Sequence, residues 1–190
     1  MKILETERTI LREIVKTDAE FILDLLNQPS FIRYIGDRNV RTIDEARDYI
    51  ESRFTENYKK FGFGMWAVEL KATRASASMS KSALTDERAS AFEIAPMGIC
   101  GFVKRDSLPD VDIGFAFLPQ YARKGYAFES AATALEYGRD VLQLKRILAI
   151  TSKDNESSGR LLGKLNFKFE RLTVLPGDDE ELKLFTFPAS

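Results

Sequence analysis

Residues 120–127, Gln-Tyr-Ala-Arg-Lys-Gly-Tyr-Ala, place a glycine and two basic residues between a predicted strand and a predicted helix. The first N–H groups of a helix lack intrahelical acceptors, and the helix dipole adds partial positive charge there. Gly125 permits close backbone approach, while Arg123 and Lys124 add full charges. The segment therefore predicts a phosphate site. It lacks the Gly-Lys-Ser/Thr of a nucleotide P-loop, and a plain loop with a helix cap is the alternative.

The chain has 190 residues, none of which is histidine, and its only cysteine is Cys100. This composition excludes a Ser-His-Asp triad, a histidine general base and any histidine-ligated metal site. A single cysteine forms no internal disulfide and is typical of a reducing compartment, so we expect a cytoplasmic protein without a bound metal. Cys100 lies in an apolar segment, which favours a core residue over a nucleophile.

The charges nearly balance, with 28 Lys and Arg against 29 Asp and Glu and a formal net charge of −1. This balance argues against a general basic face for nucleic acid or for a membrane surface. No apolar run approaches the ~20 residues of a membrane span, and the N-terminus lacks the apolar core of a signal peptide. The length suits one domain.

Strands and helices alternate along the predicted chain. Strands are predicted at residues 9–14, 65–70, 97–103, 112–117, 146–151, 167–175 and 182–187. Helices are predicted at residues 18–26, where Pro29 ends the helix, from 43 to the glycines at 62 and 64, at 126–142 and at 155–165. Thr42 and Glu45 form a capping box that opens the second helix. The third helix is expected to face the sheet with Ala127, Ala131, Ala134, Leu135, Gly138 and Val141.

Residues 112–151 predict a strand–helix–strand unit with parallel strands and a right-handed crossover. Residues 71–91 are rich in Ala and Ser without a sustained period, and are interpreted as a flexible insertion between two strands. A tolerated surface insertion and a regulatory or partner-binding segment are the two alternatives for its role.

Further segments accompany the predicted phosphate site in a fixed order. They are residues 4–12 (Leu-Glu-Thr-Glu-Arg-Thr-Ile-Leu-Arg), 99–102 (Ile-Cys-Gly-Phe), 112–115 (Asp-Ile-Gly-Phe) with Pro119 and 123–129, Asn155 with Ser158, and 164–167 (Lys-Leu-Asn-Phe) with Glu170. Together they resemble the GCN5-related N-acetyltransferase (GNAT) family, and within it the ribosomal-protein N-terminal acetyltransferase (RimJ/RimL-like) branch. The resemblance covers nearly the whole chain except residues 71–91.

The resemblance implies a single α/β domain over residues 1–190, with three α/β/α layers and a mixed central sheet that splays between strands 112–117 and 146–151. It also implies that acetyl-CoA is the co-substrate and that its acetyl group passes to an amine. By position, the CoA diphosphate would lie on the backbone of Arg123, Lys124, Gly125, Tyr126 and Ala127. The pantetheine arm would contact Phe117, Leu118 and Asn155.

Two catalytic residues follow from the same resemblance. Ser158 would protonate the leaving thiolate, because the tyrosine that many relatives use stands here as Leu162. Helix capping is the alternative role of Ser158. Glu170 would accept the amine proton, and an exposed strand carboxylate is its alternative role. Asp112 is a second carboxylate, expected at the solvent end of its strand.

The chain also departs from the family pattern. Ala122 replaces the usual first residue of the phosphate motif, Arg123 replaces a glycine, and Asn166 replaces the glycine before Phe167. Asn tolerates a left-handed backbone, so the last turn is expected to persist.

The absent imidazole favours an acceptor with a low pKa. At pH 7 about one α-amine in six is unprotonated, against about one lysine amine in 2,500. The acidic run 178–181 either attracts cationic acceptors or is a solvated turn.

A CoA-binding sensor without catalysis and a nucleotide-binding module are the alternative functions. The sequence leaves the oligomeric state open, a homodimer included.

Overall fold

The computed structural model describes residues 2–71, 95–176 and 180–188. In these ranges eight strands form one sheet in the order β1-β2-β3-β4-β5-β6-β8-β7. The strands are β1 (Lys2–Glu5), β2 (Thr9–Glu13), β3 (Met65–Leu70), β4 (Gly98–Val103), β5 (Asp112–Phe117), β6 (Arg146–Ser152), β7 (Lys168–Val174) and β8 (Glu181–Pro188). Only β5 and β6 pair in parallel, so the sheet is mixed, as expected. Apart from Lys71, the predicted insertion 71–91 lies outside the described residues.

Six α-helices connect these strands within the described ranges. They are α1 (Ala19–Leu26), α2 (Pro29–Ile35), α3 (Ile43–Tyr49), α4 (Glu56–Phe61), α5 (Tyr126–Asp140) and α6 (Glu156–Lys164). A π-helical segment, Ile50–Thr55, joins α3 to α4. No helix in this part of the chain has both the length and the apolar character to cross a bilayer.

Apolar residues on each face of the sheet bury a separate core, which gives the three predicted layers. Alternate residues of a strand point to opposite faces, so Trp66 packs on one face and Ala67 on the other. The first core lies under α5 and α6 and includes Cys100, Phe102, Ala131, Leu135 and Leu162. The second lies under α1, α2 and α3 and includes Ile22, Leu25, Phe31, Ala46 and Ile50.

Small residues let α5 lie close to the sheet, as the sequence predicts. Ala131 and Ala134 are fully buried, and a Cβ on Gly138 would stand only 2.6 Å from the Phe102 ring. The prediction for Val141 is wrong. The helix ends at Asp140, and the side chain of Val141 is 61% exposed because it follows the last turn.

The first two helices also differ from the prediction. Pro29 does not end α1, which stops at Leu26, but occupies the first turn of α2. Proline is favoured there because the N–H that it lacks would have no helical partner. The capping box is confirmed, since the Glu45 N–H donates to the Thr42 hydroxyl and the Glu45 carboxylate accepts from the Thr42 N–H.

Asn166 closes the last turn of α6 in a left-handed conformation, with φ +66°. The N–H of Phe167 donates to the Leu162 carbonyl and that of Asn166 to the Gly163 carbonyl, which is the Schellman arrangement. The expectation for Asn166 is therefore confirmed.

We predict that Asn166→Val lowers the free energy of unfolding by about 1–2 kcal/mol, because a β-branched residue is strained at positive φ. Asn166→Gly should leave stability unchanged or raise it. Urea denaturation of the three proteins measures the difference, and equal stability of Asn166→Val and the parent would contradict the assigned strain.

Candidate active site

β5 and β6 form a parallel pair that opens into a cleft. Their only paired residues are Asp112 and Leu148, and the Leu148 N–H donates to the Val111 carbonyl at 2.9 Å. Beyond this point the β5 edge that faces β6 has no strand partner in the described structure. The predicted splay is therefore present, with its open end towards Phe117 and Ser152.

Backbone alternation decides which groups of β5 enter the cleft. The N–H of Leu118 donates to the Met97 carbonyl on the β4 side, at 2.9 Å. Successive residues of a strand direct their N–H and C=O groups to opposite edges, so those of Phe117 and Phe115 point towards β6. Of the two residues predicted to hold a ligand on this edge, Phe117 presents its backbone to the cleft, whereas the Leu118 N–H is already engaged.

The β5–α5 connection forms an exposed loop after a short 3₁₀ turn, Pro119–Tyr121. Two left-handed residues shape it, Arg123 at φ +59° and Gly125 at φ +86°. The left-handed Arg123 stands where the family pattern has glycine, which explains the preference for glycine at that position.

Backbone donors at this loop lack acceptors. The N–H of Glu129 makes the first hydrogen bond of α5, to the Gly125 carbonyl at 3.0 Å. In the described structure no acceptor is bonded to the N–H groups of residues 123–128. The side chains of Arg123 and Lys124 form no ion pair with any described residue. Two cations and a row of donors at a helix N-terminus fit an anion such as a diphosphate.

Asn155 and Ser158 meet at the start of α6, on the β6 side of the cleft. Asn155 is the N-cap, and its Oδ1 accepts the N–H of Ser158 at 3.1 Å and the hydroxyl of Ser157 at 3.0 Å. The cap is therefore made by the Asn155 side chain and not by the Ser158 hydroxyl, which has no hydrogen-bond partner among the described residues. The amide nitrogen of Asn155 is likewise without an acceptor in that part of the chain.

Glu170 lies apart from these groups. It is the extra residue of a bulge in β7, between the pairs Phe169–Phe185 and Arg171–Leu184, and its carboxylate pairs with Arg171. No described contact joins it to Ser158. Leu162, at the position of the usual tyrosine, is 1% exposed and belongs to the core.

The expectation that Asp112 stands at a solvent end is wrong. Its side chain is 1% exposed at the closed end of the cleft, where Oδ1 accepts from Arg105 Nε at 2.9 Å. Burial raises the pKa of Asp112, and the Arg105 charge opposes this. Asp112 is therefore a structural residue at the far end of β5 from the loop. The described residues contain no cluster of three or more metal-ligating side chains.

Cys100 is fully buried in β4, and burial raises the pKa of its thiol to about 12. At pH 8 only about one molecule in 10,000 would carry the thiolate, the form that reacts. We predict that a disulfide reagent such as DTNB labels the native chain at least ~100-fold more slowly than the urea-unfolded chain. Equal labelling rates would contradict this burial, and a Cys100→Ser variant gives the background.

Two long-range contacts at the site are not indicated by any local sequence pattern. Arg8, from the turn after β1, donates to the Lys124 carbonyl at 3.1 Å. Arg33 of α2 pairs with Asp154, just before α6, at 2.7 Å. Residues 4–12 stand out in sequence only as part of a family segment, and nothing local indicates that Arg8 lies on the loop.

Comparison with known proteins agrees with this geometry. Residues 8–168 match the family model described as "Acetyltransferase (GNAT) domain". The chain is 31% identical over 168 residues to the uncharacterized N-acetyltransferase YoaA of Bacillus subtilis, covering 88% of this chain and 84% of YoaA.

Two solved structures share the fold. A GNAT-family acetyltransferase from Bacillus anthracis is 22% identical, with a TM-score of 0.72 and coverage of 100% of this chain and 99% of that one. RimL, a ribosomal L7/L12 α-N-protein acetyltransferase in complex with coenzyme A, is 13% identical, with a TM-score of 0.75 and coverage of 99% and 98%. The family match over most of the chain, the YoaA relationship and the splayed sheet lead to one conclusion: the chain belongs to the GNAT family of acetyltransferases.

Proposed function

We propose that this acetyltransferase moves the acetyl group of acetyl-CoA to a primary amine, by direct attack of the amine in a ternary complex. The observation that carries the proposal is the row of unpaired N–H groups at residues 123–128, at the mouth of the β5–β6 cleft. Acetyl-CoA supplies an activated thioester, so the chain itself has to bind it, orient it and move protons.

The residues fit each part of this co-substrate. Backbone N–H groups of Arg123 to Ala127, with the two cations, would hold the diphosphate. The backbone of Phe117 would pair with the amide groups of the pantetheine arm, as an added strand pairs with a sheet edge. The free amide nitrogen of Asn155 would reach the same arm from the β6 side. N–H groups that point into the cleft would stabilise negative charge on the thioester oxygen.

Ser158 would donate a proton to the departing thiolate. Its unbonded hydroxyl stands in the first turn of α6, which the Asn155 cap holds in place and whose dipole favours a nearby anion. This arrangement supports a general-acid role without imidazole.

We propose an amine of low pKa, a protein N-terminal α-amine or a small-molecule amine, as the acceptor. Such an amine is already partly unprotonated at neutral pH. RimL, with the same fold, is an α-N-protein acetyltransferase. On this proposal α2, whose Ile32 and Ile35 are exposed, would help to line the acceptor side. We also propose a cytoplasmic location, since acetyl-CoA and a reduced Cys100 suit it, with no nucleic-acid or membrane partner.

The proposal is tested by calorimetry with acetyl-CoA and then by thiol release over a panel of peptides and small amines. Binding followed by turnover on an α-amine or a small amine supports it. Binding without turnover on any amine would indicate a sensor, while competition by ATP equal to that by CoA would indicate a nucleotide module. No binding of acetyl-CoA would overturn the proposal.

Glu170 is the proposed base, acting on the amine through water because it lies on the hairpin beyond β6. We predict that Glu170→Gln lowers kcat by about tenfold or more, with an unchanged Kd for acetyl-CoA. Glu180→Gln, an exposed carboxylate of the same hairpin, is the control. A kcat equal to that of the control would leave Glu170 as a surface partner of Arg171.

A further inference from the structure

The turn between β1 and β2 packs on the proposed diphosphate loop. Arg8 contacts three successive parts of that loop and helix. Its Nη1 donates to the Lys124 carbonyl at 3.1 Å, its Nε donates to Glu129 Oε2 at 2.7 Å, and its guanidinium carbon lies 4.7 Å from the Tyr126 ring centre. Arg8 therefore contacts both the loop and the first turn of α5.

Glu129 is the anionic centre of this contact. Its carboxylate accepts the backbone N–H of Arg8 at 2.7 Å, the Nε of Arg8 and the hydroxyl of Thr6. Partial burial raises the pKa of Glu129, but the hydrogen bonds from Thr6 and Arg8 outweigh it and lower the pKa overall. The carboxylate is therefore ionised at neutral pH, within the first turn of α5.

A fixed anion at this position has two opposing effects. It stabilises the free helix N-terminus, which carries partial positive charge. It also repels any second anion that approaches the same turn, as the diphosphate must. A cation that neutralises Glu129 removes the repulsion while the hydrogen bonds remain.

Arg8 lies where a positive charge can neutralise the carboxylate of Glu129. Its Nη2 contacts Glu129 Oε2 at 2.7 Å and would lie 3.1 Å from a Cβ placed on Gly125. Arg8, Gly125 and Phe128 line the same open depression. The hydrogen bond to the Lys124 carbonyl also fixes the peptide between the two left-handed residues of the loop.

We propose that Arg8 is a positioning residue of the diphosphate site, which neutralises Glu129 and fixes the Lys124 carbonyl so that the loop accepts a doubly charged ligand. The inference rests on the proposed function, because it takes CoA as the occupant of this loop. It assigns a role in co-substrate binding to a residue that is 116 positions from Lys124 in sequence.

The test compares a ligand with phosphates and one without. Arg8→Ala should raise the Kd for acetyl-CoA about tenfold at low salt, and less at high salt, because the lost interaction is electrostatic. The KM for S-acetyl-pantetheine, which has no phosphate, should stay within about twofold. Arg139→Ala, at the far end of the same helix, is the control and should bind acetyl-CoA as the parent does.

A second substitution separates charge compensation from general damage to the fold. Glu129→Gln removes the repelling charge, so the Arg8→Ala/Glu129→Gln double variant should recover most of the affinity that Arg8→Ala loses. Equal losses for both ligands, or no recovery in the double variant, would overturn the inference. Failure of the parent chain to bind acetyl-CoA would instead overturn the proposed function, so the two failures are distinguishable.

Discussion

Gly125→Glu is expected to weaken acetyl-CoA binding by at least ~100-fold, which corresponds to about 2.7 kcal/mol. Gly125 is left-handed and is the N-cap of α5, so a side chain there is strained, and its Cβ would lie 3.1 Å from Arg8 Nη2 beside the proposed diphosphate loop. A carboxylate there would add negative charge beside the proposed anion site, compete for Arg8 and repel the diphosphate. Isothermal titration calorimetry measures the loss directly.

The control for this experiment is Gly62→Glu. Gly62 is also left-handed, with φ +74°, but it ends α4 and a Cβ there would meet nothing within 4 Å. Both variants carry similar backbone strain of about 1 kcal/mol, so they should lose similar stability. Only Gly125→Glu should lose binding, and normal affinity in that variant would show that the diphosphate binds elsewhere.

Ser158→Ala is expected to lower kcat by about 100-fold, with the Kd for acetyl-CoA unchanged within about twofold. The loss would follow from removing the proposed general acid, because a general acid usually contributes ~10²–10⁴ in rate. Affinity is retained because the Asn155 cap uses the Ser158 backbone N–H, which alanine also has. Pre-steady-state thiol release with the best acceptor measures kcat apart from binding.

Ser157→Ala provides a matched control in the same turn. The Ser157 hydroxyl donates to Asn155 Oδ1, so its loss perturbs the cap without removing the proposed acid. It should cost less than about 1 kcal/mol of stability and leave kcat nearly unchanged. If Ser158→Ala retained full kcat, the hydroxyl would have no part in the reaction.

Much of the fold was predictable because its signals are local. The strand bounds 65–70 and 112–117 follow from apolar patterning, and the capping box at Thr42 from two side chains three residues apart. The predictions for Pro29 and Val141 are wrong because the same local sequence signal is compatible with two structures. Proline both follows and begins helices, so the predicted role of Pro29 at the end of α1 is wrong, and Val141 lies just past the end of α5.

In the candidate site, too, features that depend on neighbouring residues could be predicted and features that depend on distant residues could not. The loop around Gly125 was predictable, since glycine, adjacent cations and a following helix are contiguous in sequence. The burial of Asp112 was not, because it depends on β6, β4 and Arg105 closing around the start of β5. The separation of Glu170 from Ser158 likewise depends on β8 standing between β6 and β7.

The sequence by itself determined that any chemistry of this chain proceeds without imidazole, predicted an anion site at one loop, and indicated the GNAT family. These properties depend on residue identity and short spacings. Only the tertiary structure decided which backbone groups of β5 enter the cleft and which side chain compensates the charge on Glu129. Those depend on sheet register and on contacts such as Arg8 with Lys124, which bring together residues more than 100 positions apart.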